Sequence, residues 1–268
     1  MKPRVRRCPG ATRSTNASPA DSVWKTTDTR GAPSSWGGAP FPEMAMYYRL
    51  RQGLAFCFAG DAVIFLDAKA GRYFGASRQT RISFSRLISQ NGRIAEEGDR
   101  NLSTLISRGY LVENPLPVDF DSPPVQDLAD DLGTRHLPST PISLVLLAVL
   151  WQLLIKVRLQ TSSLDTLLDG LSSRRLIPLP AKFDTSLHAL RVSAAFRKAA
   201  IFLEATDRCL VQSLAMFAML KRRGVPCRFA IGVRTRPFKA HSWVEFDTLV
   251  LNDDIENVLR FTPILVVK

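Results

Sequence analysis

Three residues near the C-terminus have the types and the order expected of a thiol-based nucleophilic site: Cys209, His241 and Asp253. Cys209 is predicted to lie in the first turn of a helix capped by Thr206 or Asp207, where free amide groups and the helix dipole favour a thiolate. The thiolate is the reactive form of cysteine. His241, in a predicted strand, would exchange the proton, and Asp253, after the next strand, would orient the imidazole. The pattern predicts a Cys-His-Asp triad.

Each of these residues also has a structural interpretation when it is taken alone. A cysteine near a helix start packs more often than it reacts, and Asp253 beside Asp254 is typical of a solvated turn. Cys57 and Cys227 fall inside apolar strands and are predicted to be packing residues. The cysteines form no CxxC pair and fit no zinc spacing, so we expect no metal site and a reducing compartment.

The region 142–268 has the order helices first and strands second. Helical patterns cover 142–159, 162–171, 187–204 and 207–223, and strands are predicted over 227–234, 240–246 and 248–251. This order predicts an α+β fold in which a helix-borne cysteine meets a strand-borne histidine.

The pattern over 46–113 predicts a separate module with three strands followed by helices. The strands are predicted over 54–58, 62–67 and 72–76, and the helices over 79–90 and 99–108. This order indicates a small winged-helix-like unit. Residues 1–45 are basic and poor in large apolar side chains, which predicts disorder, and the proline-rich, acidic stretch 114–141 predicts a linker.

Charge and hydropathy leave other classes of function open. The net charge is +12, but the excess is spread along the chain, so a nucleic-acid-binding role is an alternative without a dominant basic segment to support it. The longest apolar run, 142–155, is shorter than the ~20 residues that span a bilayer, and we interpret it as a buried core helix. No signal-peptide pattern is present. We therefore expect a cytoplasmic protein without stable membrane insertion.

The C-terminal residues resemble the B proteins of lasso-peptide biosynthesis, which are leader peptidases with a papain- or transglutaminase-like fold. The resemblance rests on Cys209-Leu210, on LKRRGV at 220–225, on IGVRTRPFKAHSWVE at 231–245 and on VLND at 250–253. It also rests on spacing, since thirty-two positions separate Cys209 from His241 and twelve separate His241 from Asp253. The resemblance implies that these three residues are catalytic.

The first module is similar to PqqD-like peptide recognition elements through VIFLD at 63–67, GRYF at 71–74 and LISRGYL at 105–111. Such elements bind a precursor leader by adding it as a strand to a sheet edge beside an apolar groove. The resemblance implies leader-binding positions on the strand 72–76 and on the second helix. They are Arg72, Tyr73, Phe74, Leu102 and Leu105.

The resemblance as a whole implies a bacterial cysteine peptidase that removes the leader of a ribosomally made precursor. A separate asparagine-synthetase-like cyclase would then close the macrolactam. No cofactor is expected on this chain, which lacks a GxxxxGK[ST] loop, and any ATP dependence would act through the cyclase. The alternatives are an acyltransferase or transglutaminase with the same triad, and a leader-binding scaffold without catalysis.

Overall fold

The computed structural model describes residues 46–94, 99–120, 123, 127–133, 138–172, 184–200 and 208–268. The predicted extension 1–45 and the predicted cap of the Cys209 helix lie outside the described residues. The elements run in the following order: β1 Tyr47–Leu50, β2 Leu54–Ala59, β3 Ala62–Asp67, β4 Arg72–Gly75, α1 Arg78–Ser89, α2 Arg100–Ser107, β5 Leu111–Asn114, β6 Asp130–Asp131, α3 Ile142–Thr161, α4 Leu164–Ser172, α5 Thr185–Ala199, α6 Arg208–Arg222, β7 Arg228–Thr235, β8 Phe238–Phe246, β9 Leu249–Val250, α7 Ile255–Val258 and β10 Thr262–Val267.

The first module has the predicted order of three strands followed by helices. Strands β2, β3 and β4 form an antiparallel meander in which β4 lies at one edge. Ser77 caps α1 and Asp99 caps α2, each by accepting a backbone N–H hydrogen bond, and Gly109 ends the second helix region with a positive φ of 67°. A further antiparallel pair, β1 with β5, was not predicted.

The meander contributes side chains to two cores because successive residues of a strand point to opposite faces. Phe56 and Phe65 pack with Phe84 in the core of the first module. Ile64 and Leu66 instead join the large core that the C-terminal helices and sheet build. Residues 44–268 accordingly cluster as one compact unit.

The C-terminal sheet has the strand order β10-β7-β8-β9-β6. Its pairs are antiparallel except for β6 with β9, which is parallel. Helices α3, α5 and α6 pack together, and the large core joins them to the sheet. Two strands were not predicted: β10 at one edge, and β6, which lies within the stretch interpreted from composition as a linker. This architecture is a mixed α+β fold.

Helix α3 differs from the predicted core helix because only one of its faces is buried. Val145, Ala148, Gln152 and Ile155 are buried, whereas an apolar stripe on the same helix is exposed. The exposed side chains are Ile142, Leu146, Leu150, Leu153, Leu154 and Val157. Within the described part of the chain, α3 is the one helix long and apolar enough to cross a membrane, a property that core helices of soluble proteins share.

Candidate active site

Helix α6 places Cys209 at its second residue, where backbone N–H groups have no acceptor inside the helix. Burial raises the pKa of the Cys209 thiol, but a hydrogen bond with the His241 side chain, the charge of His241 and contacts with Ser242 outweigh burial and leave the pKa lowered. The other described cysteines, Cys57 and Cys227, are buried, and burial raises the pKa of each to about 12. Cys209 is therefore the described cysteine that is poised to ionise.

Strand β8 carries His241, whose ring lies between Cys209 and Asp253. Its Nε2 is hydrogen-bonded to Oδ2 of Asp253, which leaves Nδ1 for the contact with the thiol. Burial alone would lower the pKa of His241, but hydrogen bonds to Asp253 and Cys209 and their negative charges raise it to about 9. A lowered thiol pKa beside a raised imidazole pKa is the condition for a thiolate–imidazolium pair.

Asp253 follows β9 and is held by three groups. Its Oδ1 accepts the backbone N–H of Asp254 at 2.8 Å, and its Oδ2 accepts both the His241 ring and Nδ2 of Asn257 at 3.0 Å. Burial raises the pKa of this carboxyl, but the His241 hydrogen bond, the backbone donor and the remaining contacts lower it overall. The carboxylate is thus ionised and oriented toward the imidazole.

A partly buried hydrogen-bond network ties together the three elements that carry these side chains. Asn252 donates through Nδ2 to Oγ of Ser213 at 2.8 Å and accepts the backbone N–H of Val244 at 2.8 Å. Ser213 in turn donates to the carbonyl of Ser242 at 2.9 Å. Because Ser213 lies one turn after Cys209 and Asn252 directly precedes Asp253, the network fixes α6, β8 and the β9–α7 connection relative to one another.

The network was not predicted from the sequence, although a signal existed. Ser213 stands four positions after Cys209, on the same helical face, and Asn252 precedes Asp253. A second polar set, also unpredicted, anchors the same strand: Trp243 donates to Glu245 at 2.7 Å, and Glu245 pairs with Arg228 at 2.6 Å. Both sets hold β8 rigidly behind His241.

The wall behind the histidine requires a glycine at position 232. Gly232 lies opposite His241 in the β7–β8 pair, and the Trp243 and Phe261 rings lie 6.2 and 5.1 Å from the His241 ring between centroids. A Cβ on Gly232 would stand 2.7 Å from the nearest Trp243 atom and 2.9 Å from Cβ of Phe261. The absence of a side chain lets these two rings support the imidazole.

Gly232→Ala should destabilise the protein by about 1–3 kcal/mol, because the added methyl group overpacks a closed wall. Its turnover should also fall by more than the loss of folded protein explains, since the displaced rings pack against His241. Thermal unfolding and turnover at a temperature well below the midpoint separate the two effects. Gly170→Ala is the matched control, because a Cβ there meets nothing within 4 Å. Wild-type turnover in Gly232→Ala would show that the ring positions do not matter.

A cleft of about 940 Å³ opens beside Cys209 and His241. One wall is the C-terminal half of α3, including Gln152, Leu153 and Lys156. Another wall comes from the first module, where the β3–β4 turn and Tyr73 face the cleft. The cleft is therefore shared between the module with the recognition-like pattern and the elements that carry the cysteine and the histidine.

The five positions predicted to bind a leader separate into three groups. Tyr73 lines the cleft and lies against Phe238, with ring centroids 5.7 Å apart. Arg72 donates to the hydroxyl of Tyr110 at 2.7 Å, and Phe74 stacks on the Tyr110 ring at 4.7 Å.

Leu102 and Leu105, the remaining two positions, are 2% and 5% exposed. They belong to the core of the first module and do not form an open groove wall, so the interpretation of their helix face as a groove wall does not fit the structure. Leu105→Glu would disrupt this core and is not a clean test of binding.

Within the described residues, no group of three or more His, Cys, Asp or Glu side chains is placed to hold a metal ion.

The C-terminal region matches the sequence model of the transglutaminase-like superfamily over residues 149–266, a range that contains Cys209, His241 and Asp253. The chain therefore carries a transglutaminase-like domain in this region. A stretch of 45 residues is 47% identical to the microcin J25-processing protein McjB of Escherichia coli, covering 17% of this chain and 22% of that protein. No solved structure matches the chain.

Proposed function

We propose that this chain is a cysteine peptidase that removes the leader from a ribosomally made lasso-peptide precursor. The observation that carries the proposal is the pairing of a cysteine of lowered pKa with a histidine of raised pKa that a carboxylate orients. The match to the transglutaminase-like superfamily supports the thiol chemistry, and the similarity to a microcin J25-processing protein supports the class of substrate.

In the proposed mechanism, the Cys209 thiolate attacks the carbonyl carbon of the scissile peptide bond. The backbone N–H of Cys209 lies in the first helical turn, where it has no acceptor within the helix, and it would donate to the oxyanion that forms. The C–N bond then breaks while the His241 imidazolium gives its proton to the departing amine. Water attacks the resulting thioester, His241 takes a proton from that water, and the thiolate is released with the leader carboxylate.

Strand β4 is the proposed docking edge for the leader. It ends the β2-β3-β4 sheet, and no described strand pairs with its outer edge. A leader added there by main-chain hydrogen bonds would lie beside Tyr73, whose side chain reaches the catalytic cleft. The edge strand thus offers a short path from the recognition module to Cys209.

Tyr73→Ala should lower kcat/KM for precursor cleavage about tenfold, because it removes a ring that packs on Phe238 and walls the cleft. Burial, with a smaller contribution from the charge of Cys209, raises the pKa of the Tyr73 hydroxyl to about 12, so this side chain acts as a neutral surface. Tyr73→Phe, which keeps the ring, is the control and should retain most activity. Equal loss in both variants would assign the effect to the hydroxyl instead.

The freed amine of the core peptide would pass to an asparagine-synthetase-like cyclase, and the ATP chemistry would belong to that partner, with no cofactor bound to this chain. Precursor and cyclase would be bacterial and cytoplasmic.

A second candidate function, acyl transfer to an amine, is favoured by the superfamily to which residues 149–266 match. Both functions share the acyl-enzyme and differ in whether water or an amine resolves it.

The proposed function is tested by product analysis. The full chain is incubated with each short peptide encoded beside its gene, with and without an asparagine-synthetase-like partner and ATP, and with and without added glycine amide. Mass spectrometry should show a leader with a free carboxylate and a core with a free amine. A leader that carries glycine amide in most of the product would indicate the acyltransferase. If no peptide is cut in any arm, the peptidase assignment fails.

A further inference from the structure

Two cations face each other across the β7–β8 hairpin, and no acid in the described part of the chain pairs with either of them. Arg234 and Lys239 are directly opposite in the antiparallel register, an arrangement in which like charges destabilise a strand pair. Neither side chain forms an ion pair with any residue that the structure describes. The next basic residue, Arg236, is exposed in the connecting turn. The hairpin therefore concentrates positive charge that no described residue neutralises by an ion pair.

Arg234 also has an unmet hydrogen-bonding requirement. Its guanidinium carbon lies 5.7 Å from the centre of the Phe261 ring, which fixes the group against an aromatic face. Its Nε is shielded from solvent and has no acceptor among the described residues. An unpaired donor of this kind is costly, and an anion bound by the guanidinium would offset both that cost and the repulsion from Lys239.

Phe261 links Arg234 to His241. The same ring that contacts Arg234 lies 5.1 Å from the His241 ring, and Gly232, two residues before Arg234, is the cross-strand partner of His241. Arg234, Lys239 and His241 consequently share one face of the hairpin. Because His241 protonates the departing amine in the proposed mechanism, the segment released with that amine must pass on its side of the site.

We propose that Arg234 and Lys239 form an anion subsite that binds a carboxylate side chain in the segment released with the new amine. The inference rests on the proposed peptidase function and adds a specificity determinant to it: an aspartate or glutamate at a defined distance after the cut. The carboxylate accepts from the guanidinium of Arg234, while the Lys239 ammonium adds charge from the opposite strand. Arg236, in the exposed turn, contributes longer-range attraction only.

The test uses matched acid and amide substrates. In each encoded peptide that the wild-type chain cuts, every Asp or Glu of the released segment is replaced singly by Asn or Gln. One replacement should raise KM by about tenfold or more, the range expected for loss of a charged hydrogen bond, with little change in kcat. The ratio of KM between the amide and the acid substrate should decrease at high salt. Because these changes are in the peptide, the result does not depend on a variant protein folding.

Protein variants then locate the effect. Arg234→Gln should raise KM for the acidic substrate to the amide substrate's value and leave the amide substrate's KM unchanged. Lys221→Gln is the matched control, because Lys221 also stands over a phenylalanine ring, 6.0 Å from Phe217, on α6. It should leave both substrates unaffected.

The possible outcomes distinguish failure of the anion subsite from failure of the proposed peptidase function. Cleavage with equal KM for every acid–amide pair, or an Arg234→Gln variant that still distinguishes them, overturns the subsite and leaves the peptidase assignment standing. A cleaved peptide whose released segment contains no acidic residue also overturns the subsite and leaves the peptidase assignment standing. Failure of the wild-type chain to cut any peptide overturns both.

Discussion

Replacing Cys209 by alanine should abolish leader removal, with turnover falling by at least about a thousandfold. The change removes the proposed nucleophile, and no other described cysteine has a lowered pKa to replace it. The thermal midpoint should stay close to that of the wild type, because Cys209 is only partly buried and its helix is held through Ser213. Turnover by mass spectrometry and unfolding by calorimetry on the same preparation give both values.

Cys57→Ala is the matched control for this variant. Cys57 is 4% exposed and lies in the large core, so its loss should cost stability and leave turnover at ordinary temperature nearly intact. Alkylation by iodoacetamide at neutral pH should likewise modify Cys209 well before Cys57 or Cys227. Full activity in folded Cys209→Ala would remove the peptidase assignment, whereas normal leader binding without cleavage by the wild type would favour the scaffold alternative.

The candidate triad was accessible from sequence because each of its parts has a local signature. Cys209 stands just after potential helix caps, His241 lies within an alternating strand, and Asp253 follows the next strand. The structure brings His241 into contact with both of the others. The meander β2-β3-β4 was predictable for a similar reason, since apolar runs separated by Ala-Gly-Asp and Ala-Gly turns mark hairpins locally.

The features that escaped prediction depend on contacts between distant segments. Strand β6 has two residues and exists through its parallel pairing with β9, and β1 forms through pairing with β5. The Ser213–Asn252 hydrogen bond joins residues thirty-nine positions apart. Periodicity in a single segment carries no information on such partners.

Burial of α2 and exposure of α3 were misjudged for the same physical reason. An apolar helical stripe predicts that a helix face is covered, but it does not predict which part of the protein or which partner covers it. Leu102 and Leu105 are covered by the first module's own strands and α1, whereas several leucines of α3 remain exposed in this chain. The sequence pattern of the two helices does not distinguish these cases.

The second large effect is expected at Asp253. Asp253→Asn should lower kcat by about a hundredfold, less than the loss in Cys209→Ala, because the proposed nucleophile remains while the imidazolium loses its ionic partner. Burial lowers the pKa of His241, but the hydrogen bond with Asp253 is the largest contribution that raises it, and with the Cys209 hydrogen bond and the charges of both partners it brings the pKa to about 9. An amide in its place keeps a hydrogen-bonding group but removes the negative charge, so the pKa of His241 should fall toward its ordinary value near 6.5.

The direction of the resulting pH change follows from which form of His241 is active. In the proposed mechanism the imidazolium donates the proton to the departing amine, so activity should be present below the pKa of His241 and lost as pH rises through it. In the wild type the basic limb of kcat/KM should therefore lie near pH 9. In Asp253→Asn it should move to lower pH, and the acidic limb should move to higher pH because a less charged histidine stabilises the Cys209 thiolate less. The active pH range narrows from both sides.

Asp254→Asn is the matched control, since it removes the same charge from the neighbouring residue. Asp254 is exposed, and its side chain makes no capping hydrogen bond to α7, so both limbs should stay where they are in the wild type. The measurement is kcat/KM from pH 5 to 10 for all three proteins with one precursor peptide. A basic limb that does not move in folded Asp253→Asn would show that this carboxylate does not set the protonation of His241. An equal shift in Asp254→Asn would reduce the effect to general surface charge.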